Sequence, residues 1–466
     1  MTASRSPANT GGLPGQDECL AVLEQAVRSV SADGAEATLS AHVERLTGFA
    51  ANQVRHATTE SRRSLSLAAV FDRCLVRVTT DRCDREGISR LGRRAGEMAA
   101  VPREPDLEIT LAPPGPSYPE SRFDAATAAD DHAAQAEDVA GVLRLAAERH
   151  LEAAGYLLSR VASEAILNTA GLAAYHLGTA AETAVTLRRN LGSGKLGNAE
   201  TSGYGAMASW RAAALRLEAL SVSAANKALW GAASSSVPPG RYTVILEPLA
   251  VAELLLFLAE GFNARAVLEE DSFLSGRMER MRFSPLFTLR DDVTHPLQHG
   301  APFDGEGWPR QRVTLVDAGR VASLLYDRAT ASRMGAAPTG HGYALPNPHG
   351  AAASNLVLAP GETTNDQLVA GCERGILVTR FWYVRPVDPG TLTVTGLTRD
   401  GTFLIEDGRV TRRLTDLRWN ESLIEGFGRI DAVGNLPAVV PIDGATVVTP
   451  ALRIPGFNFG GSEPDP

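Results

Sequence analysis

Two histidines four residues apart, in the stretch His295-Pro-Leu-Gln-His299, are the first residues whose types and spacing fit chemistry. On a helix, that spacing lets two imidazoles share one cation, with Asp304 or Glu306 as carboxylate donors. Pro296 stands between them, and Asp291, Asp292 and Gly300 surround them, so a loop is expected. A metal at His295 and His299 would require that loop to fold into ligand geometry. His341 and His349 flank a second turn-rich stretch, GHGYALPNPHG, and read as hydrogen-bonding loop histidines. Glu269-Glu270-Asp271 offers paired carboxylates for acid–base work, yet three adjacent acids read first as a solvated turn. Cys19, Cys74, Cys83 and Cys372 include no Cys-x-x-Cys pair and are expected as reduced thiols. The Gly-Ser-Gly-Lys run ending at Lys195 lacks phosphate-loop spacing, so Asn190–Ala206 reads as a flexible connection. No Gly-x-Ser-x-Gly elbow is present.

The elements that must position these groups can be read from periodicity. Asp17–Ser31 patterns as a helix through Leu20, Leu23, Val27 and Val30. Ala35–Leu46 and Ser64–Val78 alternate as strands around a polar turn at Gly48–Ser61. Glu86–Met98 reads as a helix, and the proline-rich Val101–Tyr118 as a connector. Asp124–Ala154 is Ala-rich and helical, Val161–Thr186 strand-like with breaks at Asn168 and Gly171, and Ser209–Trp230 helical again. Ser234–Gly240 is small, polar and proline-stopped, the best domain boundary. A strand at Tyr242–Leu246 follows, then a helix opened by Pro248 and reaching Glu260. From Val267 to Val448 the chain is β-rich. Its run Asn355–Gly408 holds three strand bursts, Gly375–Val384, Thr391–Gly396 and Gly401–Glu406, separated by Asp-Pro-Gly and Arg-Asp-Gly turns. Phe381-Trp382-Tyr383 falls in the first burst and reads mainly as core. The expected organisation is α+β: a disordered tail over 1–16, an N-terminal α/β domain over 17–233, a β-rich domain over 234–455 and a tail over 456–466.

Length and charge bound the rest. A chain of 466 residues suggests two or more domains. A net charge of −9 argues against a nucleic-acid surface. No apolar run approaches the ~20 residues that span a bilayer, and the polar start lacks a signal-peptide core, so a cytoplasmic protein is expected.

From Ser234 onward the sequence resembles the TldD/PmbA family, once called modulators of DNA gyrase. The motifs stand in the family's order: PFDGEGWPRQRVTLVDAGRV (Pro302–Val321), LLYDRATASRMG (Leu324–Gly335), TGHG (Thr339–Gly342), NLVLAPGE (Asn355–Glu362), ERGILVTRFWYVRPVDPGTLTVTG (Glu373–Gly396) and GTFLIEDG (Gly401–Gly408). The resemblance implies an α/β module followed by a β-rich one, and a dimer of two paralogous subunits enclosing a proteolytic chamber. It also implies a zinc site in the TldD-like subunit, from a His-Glu-x-x-x-His helix and a later cysteine. Aligned on that motif, Glu260 takes the glutamate position, while Ala259 and Ala264 replace the histidines. Leu397–Phe403, where the cysteine belongs, has none, and Cys372 lies upstream of another strand.

The resemblance therefore points to the TldE/PmbA-like branch. No catalytic or metal residue is expected in this chain, zinc belongs to a TldD-like partner, and the substrate is an unfolded or precursor peptide. Homodimerisation is the fallback when no paralogue is present. Arg380, Arg385 and Asn355 are the candidate substrate contacts, with Thr379–Arg385 as a docking edge. Two alternatives stay open: a partner in actinobacterial natural-product maturation by amide cleavage, and a self-sufficient metal-dependent hydrolase using His295 and His299. No nucleic acid or membrane partner is expected.

Overall fold

The structure is a computed structural model that describes residues 12–101, 110–115, 117–194, 197–231, 235–442 and 444–462. The tail expected over 1–16 lies outside the described residues up to residue 11, as does part of the proline-rich connector.

The N-terminal half is one antiparallel sheet with helices on it. Helix α1 (Gln16–Arg28) buries Cys19, Leu23 and Ala26, one stripe at helical spacing. Three strands follow: β1 (Gly34–Ala50), β2 (Gln53–Phe71) and β3 (Cys74–Thr80). Helix α2 (Arg85–Ala99) starts at Asp84, whose carboxylate accepts from the Gly87 N–H. The short α3 (Ala125–Ala128) and α4 (His132–Glu148) open on Asp124 and Asp131 in the same way. Then come β4 (Glu152–Asn168), β5 (Ala173–Gly194), β6 (Gly197–Ser209) and helix α5 (Leu217–Leu229). The six strands run β3-β2-β1-β4-β5-β6. Helices α1 and α2 cover one end around Leu65, Leu67 and Val76, and α4 and α5 cover the other around Phe49, Leu157 and Val185.

Two expectations fail here. Gly48–Ser61 is not a loop: β1 and β2 pair down to a two-residue turn at Ala51-Asn52, both at positive φ (49° and 57°). Asn52 locks that turn by donating to the Leu151 carbonyl (2.9 Å) and accepting from the Ala153 N–H (2.7 Å). The supposed connection Asn190–Ala206 is likewise a hairpin, with Arg189 opposite Thr201 and Gly194 opposite Gly197; Lys195 and Leu196 lie outside the described residues.

The C-terminal half begins with β7 (Gly240–Leu246) and α6 (Pro248–Glu260), whose first residue is the proline tolerated there. Helix α7 (Ala264–Leu268) follows. Strands β8 (Leu289–Asp291), β9 (Val313–Asp317) and β10 (Arg320–Val321), helix α8 (Arg328–Met334) and β11 (Leu356–Leu358) come next. Helix α9 (Asn365–Ala370) opens on a Thr364/Gln367 capping box. After it stand β12 (Arg374–Asp388), β13 (Thr393–Glu406), β14 (Arg409–Arg413), β15 (Leu417–Ser422) and α10 (Leu423–Gly428). The last strands are β16 (Ala432–Val433), β17 (Ala438–Ile442), β18 (Ala445–Thr449) and β19 (Leu452–Ser462).

Strands β12, β7, β19, β15 and β13 close into a ring, because β12 also pairs with β13. Trp419, Phe381 and Phe457 fill it, with Trp419 4.4 Å from Phe381 and 5.5 Å from Phe457 between ring centroids. A second sheet runs β10-β9-β8-β11-β18-β17. Helix α6 contacts both, through β12 and β7 on one side and β17 and β18 on the other. That explains its apolar sequence: Ala250, Val251, Leu254, Leu255 and Leu258 are all buried.

Residues 456–462 do not form the expected tail, and 463–466 lie outside the described residues. The former pair within β19, because Phe457 and Phe459 are buried in the ring. The second and third strand bursts are likewise one strand. Val378 faces Thr402 and Arg380 faces Arg399, so Asp400 and Gly401 form a bulge opposite Thr379. Their φ values of 54° and 142° suit a bulge as well as a turn.

Candidate functional site

A cleft of about 900 Å³ opens at the C-terminal end of α6. Helix α6 supplies Glu253, Leu256, Phe257, Ala259 and Glu260 to one wall. Strand β12 supplies Trp382, Tyr383, Val384 and Arg385, and the loop after His341 supplies Tyr343, His349 and Ala351–Ala353. Asn263 ties these parts together. Its side chain donates to the His349 carbonyl (2.7 Å) and accepts from the Ala351 and Arg265 N–H groups (3.2 and 3.1 Å). Gly350 must be glycine at this junction: its φ is 80°, and a Cβ would stand 2.6 Å from Asn263 Oδ1.

The positions singled out by the His-Glu-x-x-x-His alignment do not share one helix. Helix α6 ends at Glu260, Gly261–Asn263 break the chain, and Ala264 opens α7. Ala259 lines the cleft. Ala264 is fully buried, its N–H donating to the Leu325 carbonyl (3.0 Å). Glu260 lines the cleft with its pKa raised by partial burial. Neither alanine carries an atom that could ligate zinc, and Leu397–Phe403 puts Thr398 in the barrel interior and Asp400 in an ion pair. These residues do not fit a zinc ion. Cys372 is buried beside Ile245 and Leu368, its thiol pKa raised by that burial.

The three candidate substrate contacts separate. Arg385 lines the cleft and stacks on the Tyr383 ring at 4.5 Å. Arg380 is engaged elsewhere: its Nε donates to Asp400 (2.7 Å), and its guanidinium lies 4.1 Å over Tyr204. Ser202 also donates to Asp400 (2.6 Å), so this cluster joins the two halves of the chain. Asn355 lines a second cleft of about 770 Å³ between the β4–β5 face and the C-terminal loops. Tyr343, Ala352, Ala353 and Ala445 border both clefts, which are therefore neighbours.

The second cleft holds residues that sequence reasoning missed, among them Glu164, His176 and Arg310. Burial holds His176 near 4 and therefore neutral, and raises the Glu164 carboxyl. Beneath its floor, Asp291 and His341 form a fully buried pair at 3.1 Å. Asp291 also accepts from the Ser354 and Asn355 N–H groups (2.7 and 2.9 Å). Burial alone would raise Asp291, yet His341, Arg310 and the backbone donor bring it down to about 2. The TGHG motif was the one sequence signal for this pair.

His295 and His299 do lie in a turn, with Thr294 and His295 both donating to Asp292. His299 Nε2 meets Thr446 Oγ1 at 3.4 Å, and burial lowers its pKa to about 4. Asp304 is occupied by the Gly342, Trp308 and Glu306 N–H groups (2.7, 2.9 and 3.0 Å), and Glu306 accepts from the Arg328 N–H. Among the described residues, no three His, Cys, Asp or Glu side chains converge on a point where a metal could sit. Glu269-Glu270-Asp271 ends α7, where Glu269 pairs with Arg265 (2.9 Å). Among the described residues no helix is long and apolar enough to cross a membrane.

Residues 239–461 match the family model described as the PmbA/TldA metallopeptidase C-terminal domain. A metalloprotease of Methanothermobacter thermautotrophicus is 28% identical over 205 residues, 43% of this chain and 44% of that protein. The metalloprotease MJ0996 of Methanocaldococcus jannaschii is 29% identical over 222 residues, 46% and 48% of the two chains. This chain thus spans about half the length of the curated relatives it matches. TldE from Thermococcus kodakarensis superposes with a TM-score of 0.85 at 20% identity, covering 94% of this chain and 99% of that one. A proposed modulator of a DNA gyrase from Thermotoga maritima gives 0.81 at 18%, covering 92% and 96%. At these identities the structural likeness is one of fold, and it extends over both halves. Over residues 239–461, a little under half of its length, this chain matches the PmbA/TldA metallopeptidase C-terminal domain, and across both halves it shares the fold of TldE.

Proposed function

We propose that this chain is a metal-free, TldE/PmbA-like subunit that pairs with a TldD-like zinc metallopeptidase and helps form its chamber for unfolded or precursor peptides. One observation supports the reading: aligned on the family's His-Glu-x-x-x-His motif, the histidine positions fall on Ala259 near the end of α6 and on Ala264 at the start of α7, and neither side chain can bind a metal. Glu260 keeps its place there without a cation to work with, and a carboxylate alone does not lower the pKa of water to near ~7. Catalysis then belongs to the partner, whose zinc supplies the activated water.

The groove suits an extended chain. Its two neighbouring clefts share Tyr343 and three alanines, Ala352, Ala353 and Ala445, small side chains that leave room beside them. Strand β12 borders it, and β7 pairs with β12 only as far as Val378. Among the described residues no other strand takes that side of β12 beyond this point, so a peptide has a strand edge to follow. The test is co-expression with a TldD-like paralogue from the same genome. The two chains are expected to co-purify, with zinc in the paralogue and peptide hydrolysis by the pair. Failure to co-purify, together with zinc-dependent hydrolysis by this chain alone, refutes it.

A further inference from the structure

Adjacent residues of a strand normally point to opposite faces. Trp382 and Tyr383 are adjacent, yet both line the α6 cleft. A bulge makes this possible. Trp382 faces Leu397 and Arg385 faces Thr395, so Tyr383 and Val384 together oppose the single residue Gly396. Tyr383 adopts φ 58° there, a conformation that bulky residues rarely hold. The strain serves no packing: Tyr383 is 65% exposed and Trp382 43%, while their neighbours Phe381 and Val384 are buried. Strained backbone that persists without a packing return clusters at ligand sites.

The surroundings favour a planar guest. Arg385 lies 4.5 Å over the Tyr383 ring and Arg399 4.6 Å over Trp382, which orders both rings. Tyr343, 47% exposed, and His349 bring a second aromatic pair to the same cleft, 5.8 Å apart and edge to face. The partly buried Leu256 and Phe257 of α6 add apolar surface. We infer that Trp382 and Tyr383, turned to one side by the β12 bulge, form an aromatic seat that selects an aromatic side chain of a bound peptide. The inference rests on the reading of this cleft as a peptide site, and it assigns the substrate class that site prefers.

The test uses the full chain, alone and with its zinc paralogue, and three probes: acetyl-Ala-Ala-Phe-Ala-Ala-amide and its Leu and Ala counterparts at the central position. Calorimetric titration is expected to rank Phe above Leu by about tenfold, ~1.4 kcal/mol. Tyr383→Phe keeps that preference. Tyr383→Gly removes it while leaving the melting temperature equal or higher, because glycine relieves the positive φ. A merely structural tyrosine would show the opposite pattern, lower stability with unchanged preference. Equal binding of Phe and Leu probes by the native chain overturns the seat, as does a Phe preference that survives Tyr383→Gly, or no binding of any probe at millimolar concentration. The two readings fail separately. A chain that prefers the Phe probe but pairs with no paralogue keeps the seat and loses the subunit role. One that pairs without the preference does the reverse.

Discussion

Removing the Asp291 carboxylate is expected to drop the floor of the groove. Asp291 lies 3.1 Å from His341 Nε2, both side chains buried, and accepts from the Ser354 and Asn355 N–H groups at 2.7 and 2.9 Å. Asp291→Ala leaves an imidazole and two amides unpaired in a buried site, and breaking such a pair costs ~3–5 kcal/mol. For a unit the size of the C-terminal half, that corresponds to a melting temperature lower by about 6–20 °C. The acid dependence gives an independent check on the same group. Its pKa falls from an ordinary 3.8 to about 2 in the fold. A carboxylate depressed in the folded state stabilises above its unfolded pKa, and that stability, about 2 kcal/mol here, is lost as pH falls through the folded value. The gap between native and Asp291→Ala protein is therefore expected to be full at pH 6 and to narrow from pH 4 toward pH 2. Urea titrations at pH 6, 4 and 3 would read it. Asp291→Asn, which keeps an acceptor but loses the charge, should fall between. A variant within ~1 kcal/mol of native at pH 6 refutes the argument, since an unpaired buried cluster cannot cost so little.

Other outcomes follow from the same contacts. Burial beside Asp304 raises Glu306 to about 8, so stability assigned to its neutral form is present below pH 4.5 and lost as pH rises through 8. Glu306→Gln is expected to flatten the decline seen by thermal melting between pH 6 and pH 9, and an unchanged slope counts against the assignment. Trp419→Ala empties the barrel between Phe381 and Phe457 and should cost ~3–5 kcal/mol in chemical denaturation. Restoring the histidines alone, as Ala259→His with Ala264→His, is expected to destabilise the chain without creating a tight zinc site. Ala264 is sealed against Leu325, and Leu397–Phe403 still lacks a thiol. Metal analysis after dialysis with zinc would show stoichiometric retention if that reasoning were wrong.

Local chemistry made much of the fold legible. The helical spacing of Leu20, Leu23, Val27 and Val30 declared α1, although the side chains it buries are Cys19, Leu23 and Ala26, and Pro248 declared the start of α6. The far half of β2 was illegible for a physical reason. Gln53–Ser61 is exposed on nearly every residue, so it has no alternation to read, and its pairing rests on Asn52 gripping Leu151 and Ala153 a hundred residues away. Arg399-Asp400-Gly401 misled for the opposite reason. An Asp-Gly pair tolerates positive φ in a turn or a bulge alike, and only pairing of Thr402 with Val378 decides between them. At the site, Ala259 and Glu260 were located by family resemblance. The exposure of Tyr383 was not, because alternation from the buried Phe381 turns Trp382 outward but Tyr383 inward. Glu164 and His176 reach the groove from a sheet built much earlier in the chain, a placement that no local pattern encodes.

The closed ring also sets an order of events during synthesis. The N-terminal sheet has all its strands once Ser209 has been made, and neighbouring strands there are mostly neighbours in sequence. The ring is different: β19 lies between β7 and β15, so its first strand stays without its antiparallel neighbour until Leu452–Ser462 emerges. Until then Trp419 and Phe381 lack Phe457, and an apolar surface waits in an unfinished barrel. Long-range closure of this kind is slow and exposes intermediates to aggregation. The C-terminal half is thus expected to stay open to aggregation for longer during synthesis than the N-terminal half, and loss of β19 would leave the ring open.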